Sequence, residues 1–393
     1  MEIIKGSIVI SGIKGLWSFL AAAWEHSLIF RAGEVLRGAF EQSKFKRLSD
    51  DFGRREDMAE YSLWAIFLLR AEALLLKTGG LLRQSLFYKL MVFPRSLYEK
   101  LSKGSIVLGA AGKLSLKRWI LLAFAAYLPL EYIIRDRLGL GFLASAWEEL
   151  FIIAALFLVL WRCALGQSKS FSRASSVEVA ILLLMSVDLL LMFLTAVRLD
   201  VAVAGYRAQV EYMIWFSIML RLLETVEDAR FLIKAFAAVV ALLCVHGCYQ
   251  FAIGVPIPAG WTSSTEMAVR TRVFSITGSP NIFGSLIIFA IPIVAALVYY
   301  EKKPLRKFLL FGVLGMMCLC DLFTFSRGSW VGLIVAMTLF AVLVDGRLIA
   351  AMLAAMGGVL VAVPSIADRI AYLFTRDYLE ASAAGGRSIR WET

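Results

Sequence analysis

Apolar and polar residues alternate along this chain in two different ways. From Trp119 onward, long apolar runs follow one another with short polar breaks. Each is near the roughly 20 residues needed to cross about 30 Å of hydrocarbon. The pattern predicts nine spanning helices, over 119–134, 147–165, 177–196, 209–223, 232–253, 281–300, 306–325, 329–345 and 347–365. Residues 1–117 instead interleave Lys and Arg with aromatic and leucine positions, in stretches too short and too charged to span. Within them "AWEHSLIFR" at 23–31 returns as "AFEQSKFKR" at 39–47, a repeat that suits successive amphipathic helices. Such helices are expected to lie on a bilayer surface, the alternative being a small cytoplasmic helical domain.

The fold expected is therefore an all-α polytopic membrane bundle over 118–365. A basic amphipathic region, 1–117, precedes it, and 366–393 begins a large external loop. Composition agrees: 60% of the 393 residues are hydrophobic and the mean hydropathy is +0.77. Soluble domains run nearer half apolar with about a quarter charged.

The net charge of +11 changes the partner expected. In a chain this apolar, excess Lys and Arg mark the cytoplasmic face and anionic lipid rather than nucleic acid. The start of the chain lacks a small-residue cleavage site, so the N-terminus is expected to remain in the cytoplasm of a multi-pass cytoplasmic-membrane protein. Basic loops such as "EKKPLRK" then lie inside, and 135–146, 197–208, 254–280, 326–328 and the residues after 366 lie outside.

Metal or cofactor chemistry is not expected. The five cysteines (163, 244, 248, 318 and 320) sit in or beside apolar runs without metal-ligand spacing and read as small buried hydrophobes. His246 and the carboxylates Glu131, Asp188, Glu211 and Asp321 are ionisable groups inside expected spans, Asp188 being the most conspicuous.

Among the arginines of the expected outer loops, Arg207, Arg270, Arg272, Arg327, Arg387 and Arg390 sit in short polar words. A guanidinium is permanently charged and presents a planar fork suited to phosphate oxygens. Several converging at an outer rim form a grip for an anionic headgroup, whereas any one alone reads as a solvated or snorkelling residue. "GSPN" at 278–281 reads as a turn opening a helix capped by Asn281, and a helix N-terminus attracts anions. Ser326-Arg327-Gly328 joins two apolar runs with almost no loop, which brings an arginine close to hydrocarbon and calls for a partner.

An outer arginine followed by G-x-P-N, then "SRG" opening a later helix, then "GRSIRW" in a final loop together resemble the O-antigen ligase and O-antigen polymerase superfamily over about residues 119–393. The resemblance implies a metal-independent membrane glycosyltransferase that moves a glycan from an undecaprenyl-diphosphate carrier to an acceptor outside the cytoplasmic membrane. Carried over by position, Arg272 and Arg387 are the implied catalytic cations. Arg327, Asn281, Arg207 and Trp391 are the substrate-binding residues expected around them. The family continues past the tryptophan with a histidine base and further helices, so this chain is expected to be an incomplete and inactive fragment. Sugar, acceptor, and ligation versus polymerisation stay open. The alternatives are a transporter or flippase of lipid-linked glycans and a noncatalytic membrane scaffold.

Overall fold

The computed structural model describes residues 62–85, 114–139, 145–195, 198–257, 271–345 and 347–362, with isolated positions between 18 and 47 and at 141, 368 and 371. The described elements are helical: α1 (Leu63–Gln84), α2 (Leu116–Ala125), α3 (Tyr127–Tyr132), a π-helical turn (Ile133–Arg137), α4 (Trp147–Ala164), α5 (Ser176–Thr195) and α6 (Leu199–Leu222) come first. Then follow α7 (Val226–Ile253), α8 (Pro280–Tyr300), α9 (Pro304–Phe323), α10 (Arg327–Val344) and α11 (Arg347–Ala362). The amphipathic repeat at 23–47 falls largely outside the described residues.

Among the described residues, four helices are long and apolar enough to cross a membrane: α5 over Ser176–Leu194, α7, α8 and α10. They mark a helical membrane protein. The other five expected spans differ for visible reasons. The first breaks into α2, α3 and the π turn, with Pro129 inside α3. α4 carries Glu148, Glu149 and Arg162, α6 carries Arg207, Glu211 and Arg221, and α9 carries Arg306, Lys307 and Asp321. α11 has only 16 residues.

The chain forms two compact units, residues 43–235 and residues 1–42 with 236–393. In the first, α1 lies against the end of α4, where Gly79 approaches so closely that a Cβ would collide with the Ala164 carbonyl oxygen. Arg83 donates to the next carbonyl, Leu165 O, at 2.9 Å. Leu121, Leu158, Phe171, Trp215 and Leu222 build the core. A polar clasp closes one edge of the unit: Glu224 accepts from Arg162 at 2.7 Å, Lys117 at 3.1 Å and the Lys169 amide at 3.1 Å.

In the second unit α8 is the central helix, its Phe283, Ile287 and Ile291 fully buried against Val240 and Cys244 of α7 and Met317 and Cys320 of α9. Two glycines permit this packing. A Cβ on Gly247 would meet Cys320 Sγ at 2.7 Å, and one on Gly284 would meet Ser329 Cβ at 2.6 Å.

Candidate functional site

The segment 271–279 crosses one end of the α8 unit and is fastened residue by residue. Gln250, near the end of α7, accepts from the amides of Phe274 (3.1 Å) and Ser275 (2.7 Å) and donates to Ser275 O at 3.0 Å. This grip holds Ser275 at φ +50°, a left-handed conformation uncommon for a residue with a side chain. The Ser275 hydroxyl donates to Leu243 O (3.1 Å), and His246 Nδ1 lies 3.0 Å from Ser275 Oγ. Val273 N donates to Phe323 O at 3.1 Å, tying the segment to the end of α9.

Arg272 is thereby carried inward and is only 5% exposed. Its Nε donates to Thr324 O at 3.0 Å and its Nη2 to Asn281 Oδ1 at 3.3 Å. Thr324 is the residue that ends α9, where helix carbonyls leave partial negative charge, so the guanidinium also complements that pole. Asn281 lies within the first turn of α8, and the N-cap is Ser279, whose side chain makes no capping bond. The expectation that Asn281 caps α8 is therefore corrected: its oxygen is turned to Arg272. The N-terminus of α8 keeps its amides without a side-chain cap, and amides so placed attract anions.

The turn from α9 to α10 is built with comparable economy. Thr324 Oγ1 donates to Asp321 O at 2.6 Å and accepts from Ser326 N at 3.1 Å, while Phe325 takes φ +49°. Ser326 caps α10 by accepting from Ser329 N at 3.4 Å. Arg327 opens α10 at this end. Beneath the turn, Asp321 is fully buried, and neither carboxylate oxygen has a hydrogen-bond partner among the described residues.

Three of the expected site residues, Arg272, Asn281 and Arg327, thus belong to one end of one unit. Arg207 belongs to the other unit, where it pairs with Glu149. Arg387 and Trp391 lie outside the described residues. Asp188 accepts from Gln209 at 2.8 Å, an amide rather than a cation. Sequence reasoning missed Gln250, Ser275 and Thr324. The signal available for Gln250 was a polar residue in an otherwise apolar helix; Ser275 and Thr324 resemble any loop hydroxyl. No protein-family model, curated protein or solved structure matches the chain.

Proposed function

We propose that this chain belongs to a membrane glycosyltransferase of O-antigen ligase or polymerase type. In this reading the α8–α10 end holds the diphosphate of an undecaprenyl-diphosphate-linked glycan at the outer face of the cytoplasmic membrane. One observation carries it: Arg272 is braced through Asn281 beside the uncapped N-terminus of α8, at the end where α10 also begins with Arg327. Two positive helix poles and two guanidinium groups make a field suited to a doubly ionised group.

The chemistry follows from that field. As the acceptor hydroxyl oxygen bonds to the anomeric carbon and gives its proton to the histidine base that the resemblance implies beyond Trp391, the bond from that carbon to the diphosphate breaks and charge gathers on the leaving oxygens. Fixed cations and amides in a water-poor site stabilise that charge more than they stabilise the ground state, with no metal required. The resemblance also implies a catalytic role for Arg387 and substrate-binding roles for Trp391 and Arg207.

The test uses full-length protein in proteoliposomes with an undecaprenyl-diphosphate-linked oligosaccharide as donor. Arg327→Gln and Arg272→Lys, each first shown to fold as the parent does, should lower transfer roughly 10²- to 10³-fold. Transfer equal to the parent's in both variants, or cysteine labelling that puts residue 272 on the cytoplasmic side, would overturn the reading.

A further inference from the structure

α8 and α9 meet at a junction crowded with cations. α8 has 21 residues, so it is roughly 30 Å long, about the thickness of a bilayer's hydrocarbon. Its first turn stands at the Arg272 end, where the Val273 amide also bonds Phe323 O at the end of α9. The last turn of α8 and the first turn of α9 therefore lie one hydrocarbon thickness away, joined by residues 301–303.

Lys302, Lys303, Arg306 and Lys307 are all exposed at this junction, against one acid, Glu301. Glu301 Oε1 accepts from the Lys303 amide at 2.9 Å. Among the described residues, none of the four cations makes a salt bridge with it or with any other carboxylate. Lys303 stands one turn from both Arg306 and Lys307, a spacing at which like charges repel. Lys303 is also the N-cap of α9 and supplies no capping side chain, so the positive helix pole adds to this field instead of offsetting it.

Large apolar side chains are exposed on the same stretch. Tyr299 and Tyr300 close α8 with their rings edge to face at 5.2 Å, and Tyr300 is 71% exposed. Leu305, Phe308, Leu309 and Phe311 follow on α9, Phe308 being 73% exposed. An acidic protein or a free anion would satisfy the cations and leave these rings against water. A lipid leaflet satisfies both within one turn of helix, because its phosphates lie directly above its acyl chains. Tyrosine suits the same level, where its ring and its hydroxyl meet different media.

We infer that the α8–α9 junction is a binding surface for anionic phospholipid. Lys302, Lys303, Arg306 and Lys307 hold the headgroup phosphates, and Tyr300, Phe308 and Phe311 lie among the first carbons of the acyl chains. Because α8 measures one hydrocarbon thickness, this grip also sets the depth at which the Arg272 end meets the opposite leaflet. The surface lies at the other end of α8 from the proposed diphosphate site and binds lipid whether or not that site holds a glycan carrier.

The test is photo-cross-linking of the full-length protein in phosphatidylcholine vesicles doped with a phosphatidylglycerol that carries a photoreactive group in its headgroup, followed by peptide mapping. Label should fall on residues 299–311. Excess phosphatidylglycerol should displace it, and excess phosphatidylcholine or inorganic phosphate should not. Lys302→Gln, Lys303→Gln, Arg306→Gln and Lys307→Gln combined should lower labelling of that segment roughly tenfold, with labelling elsewhere retained as the sign of a folded chain in the membrane. In the parent, added salt should weaken the same labelling. Labelling of 299–311 that is unchanged in the quadruple variant or by salt overturns the inference. Displacement by inorganic phosphate also overturns it, by identifying a soluble anion as the ligand. So does an absence of label there while a photoreactive acyl chain still labels α8, since the junction then stands clear of the bilayer, as a docking surface for an acidic protein does.

Discussion

Arg221 of α6 and Glu178 of α5 form a two-point ion pair shut away from solvent. Nη1 lies 2.7 Å from Oε1 and Nη2 3.4 Å from Oε2, with the side chains 6% and 0% exposed. The guanidinium also lies over the rings of Trp64 and Phe171, at 6.0 and 5.9 Å. Two charges so deeply placed depend on each other, because removing one leaves the other uncompensated. Glu178→Ala should therefore cost about 3–5 kcal/mol of stability. Thermal unfolding in detergent should show Glu178→Leu combined with Arg221→Met to be more stable than Glu178→Leu alone; a double variant no better than that single variant would show the pair to be uncoupled.

Glu224 gives the same unit an acid-sensitive fastening. Burial pushes its carboxyl up, but hydrogen bonds from Arg162, the Lys169 amide and Lys117 outweigh it and hold the group below the ordinary glutamate value of 4.5. A depressed folded-state value adds stability that is present above about pH 4.5 and is lost as pH falls through the folded value. Unfolding midpoints taken from neutral to acid pH should therefore fall in the parent below that point. They should fall less steeply in Glu224→Gln, and identical slopes would show that this carboxylate plays no part.

The helices were legible in the sequence because an apolar run needs no partner to declare itself: α5, α8 and α10 begin within two residues of the expected starts. The partners of the polar residues were not legible. Nothing in the sequence next to Arg221 names its partner, which is Glu178, 43 positions away. Arg272 and Asn281 were picked out by spacing and charge, whereas the Thr324 carbonyl that holds the guanidinium is a backbone atom and leaves no mark in composition. Glu131 and Glu211 looked like isolated intramembrane acids. Only the packing of α3, α4 and α6 brings them near Glu148 and Glu149.

Close helix approach in the α8 unit rests on two missing side chains. A Cβ at position 284 would press on Ser329 at 2.6 Å and stand 3.3 Å from Asp321 Oδ1; the first contact involves a Cβ, which cannot swing away. Gly284→Ala should cost about 1–3 kcal/mol through overpacking. Gly312 has nothing within 4 Å and is the control: Gly312→Ala should be neutral or slightly stabilising because it lowers the freedom of the unfolded chain. Equal melting temperatures for the two variants would contradict the packing.

Gln250 is the residue on which the 271–279 segment depends most. Its carboxamide meets two amides and one carbonyl of that segment, a donor and acceptor set that neither Glu nor Leu can reproduce. Gln250→Leu leaves the Phe274 and Ser275 amides without their acceptor, at a cost of about 1–3 kcal/mol for each buried group left unpaired. Gln250→Glu keeps both as acceptor bonds but sets an oxygen against Ser275 O. Hydrogen exchange should rank the amides of Phe274 and Ser275 slowest in the parent, faster in the glutamate variant and fastest in the leucine variant. The Val273 amide, bonded to Phe323 O, should follow the same order because the strand of chain between them is short. If all three proteins exchange these amides equally, the left-handed Ser275 is held by something other than Gln250, and the position of Arg272 must be explained from its contacts with Thr324 and Asn281 alone.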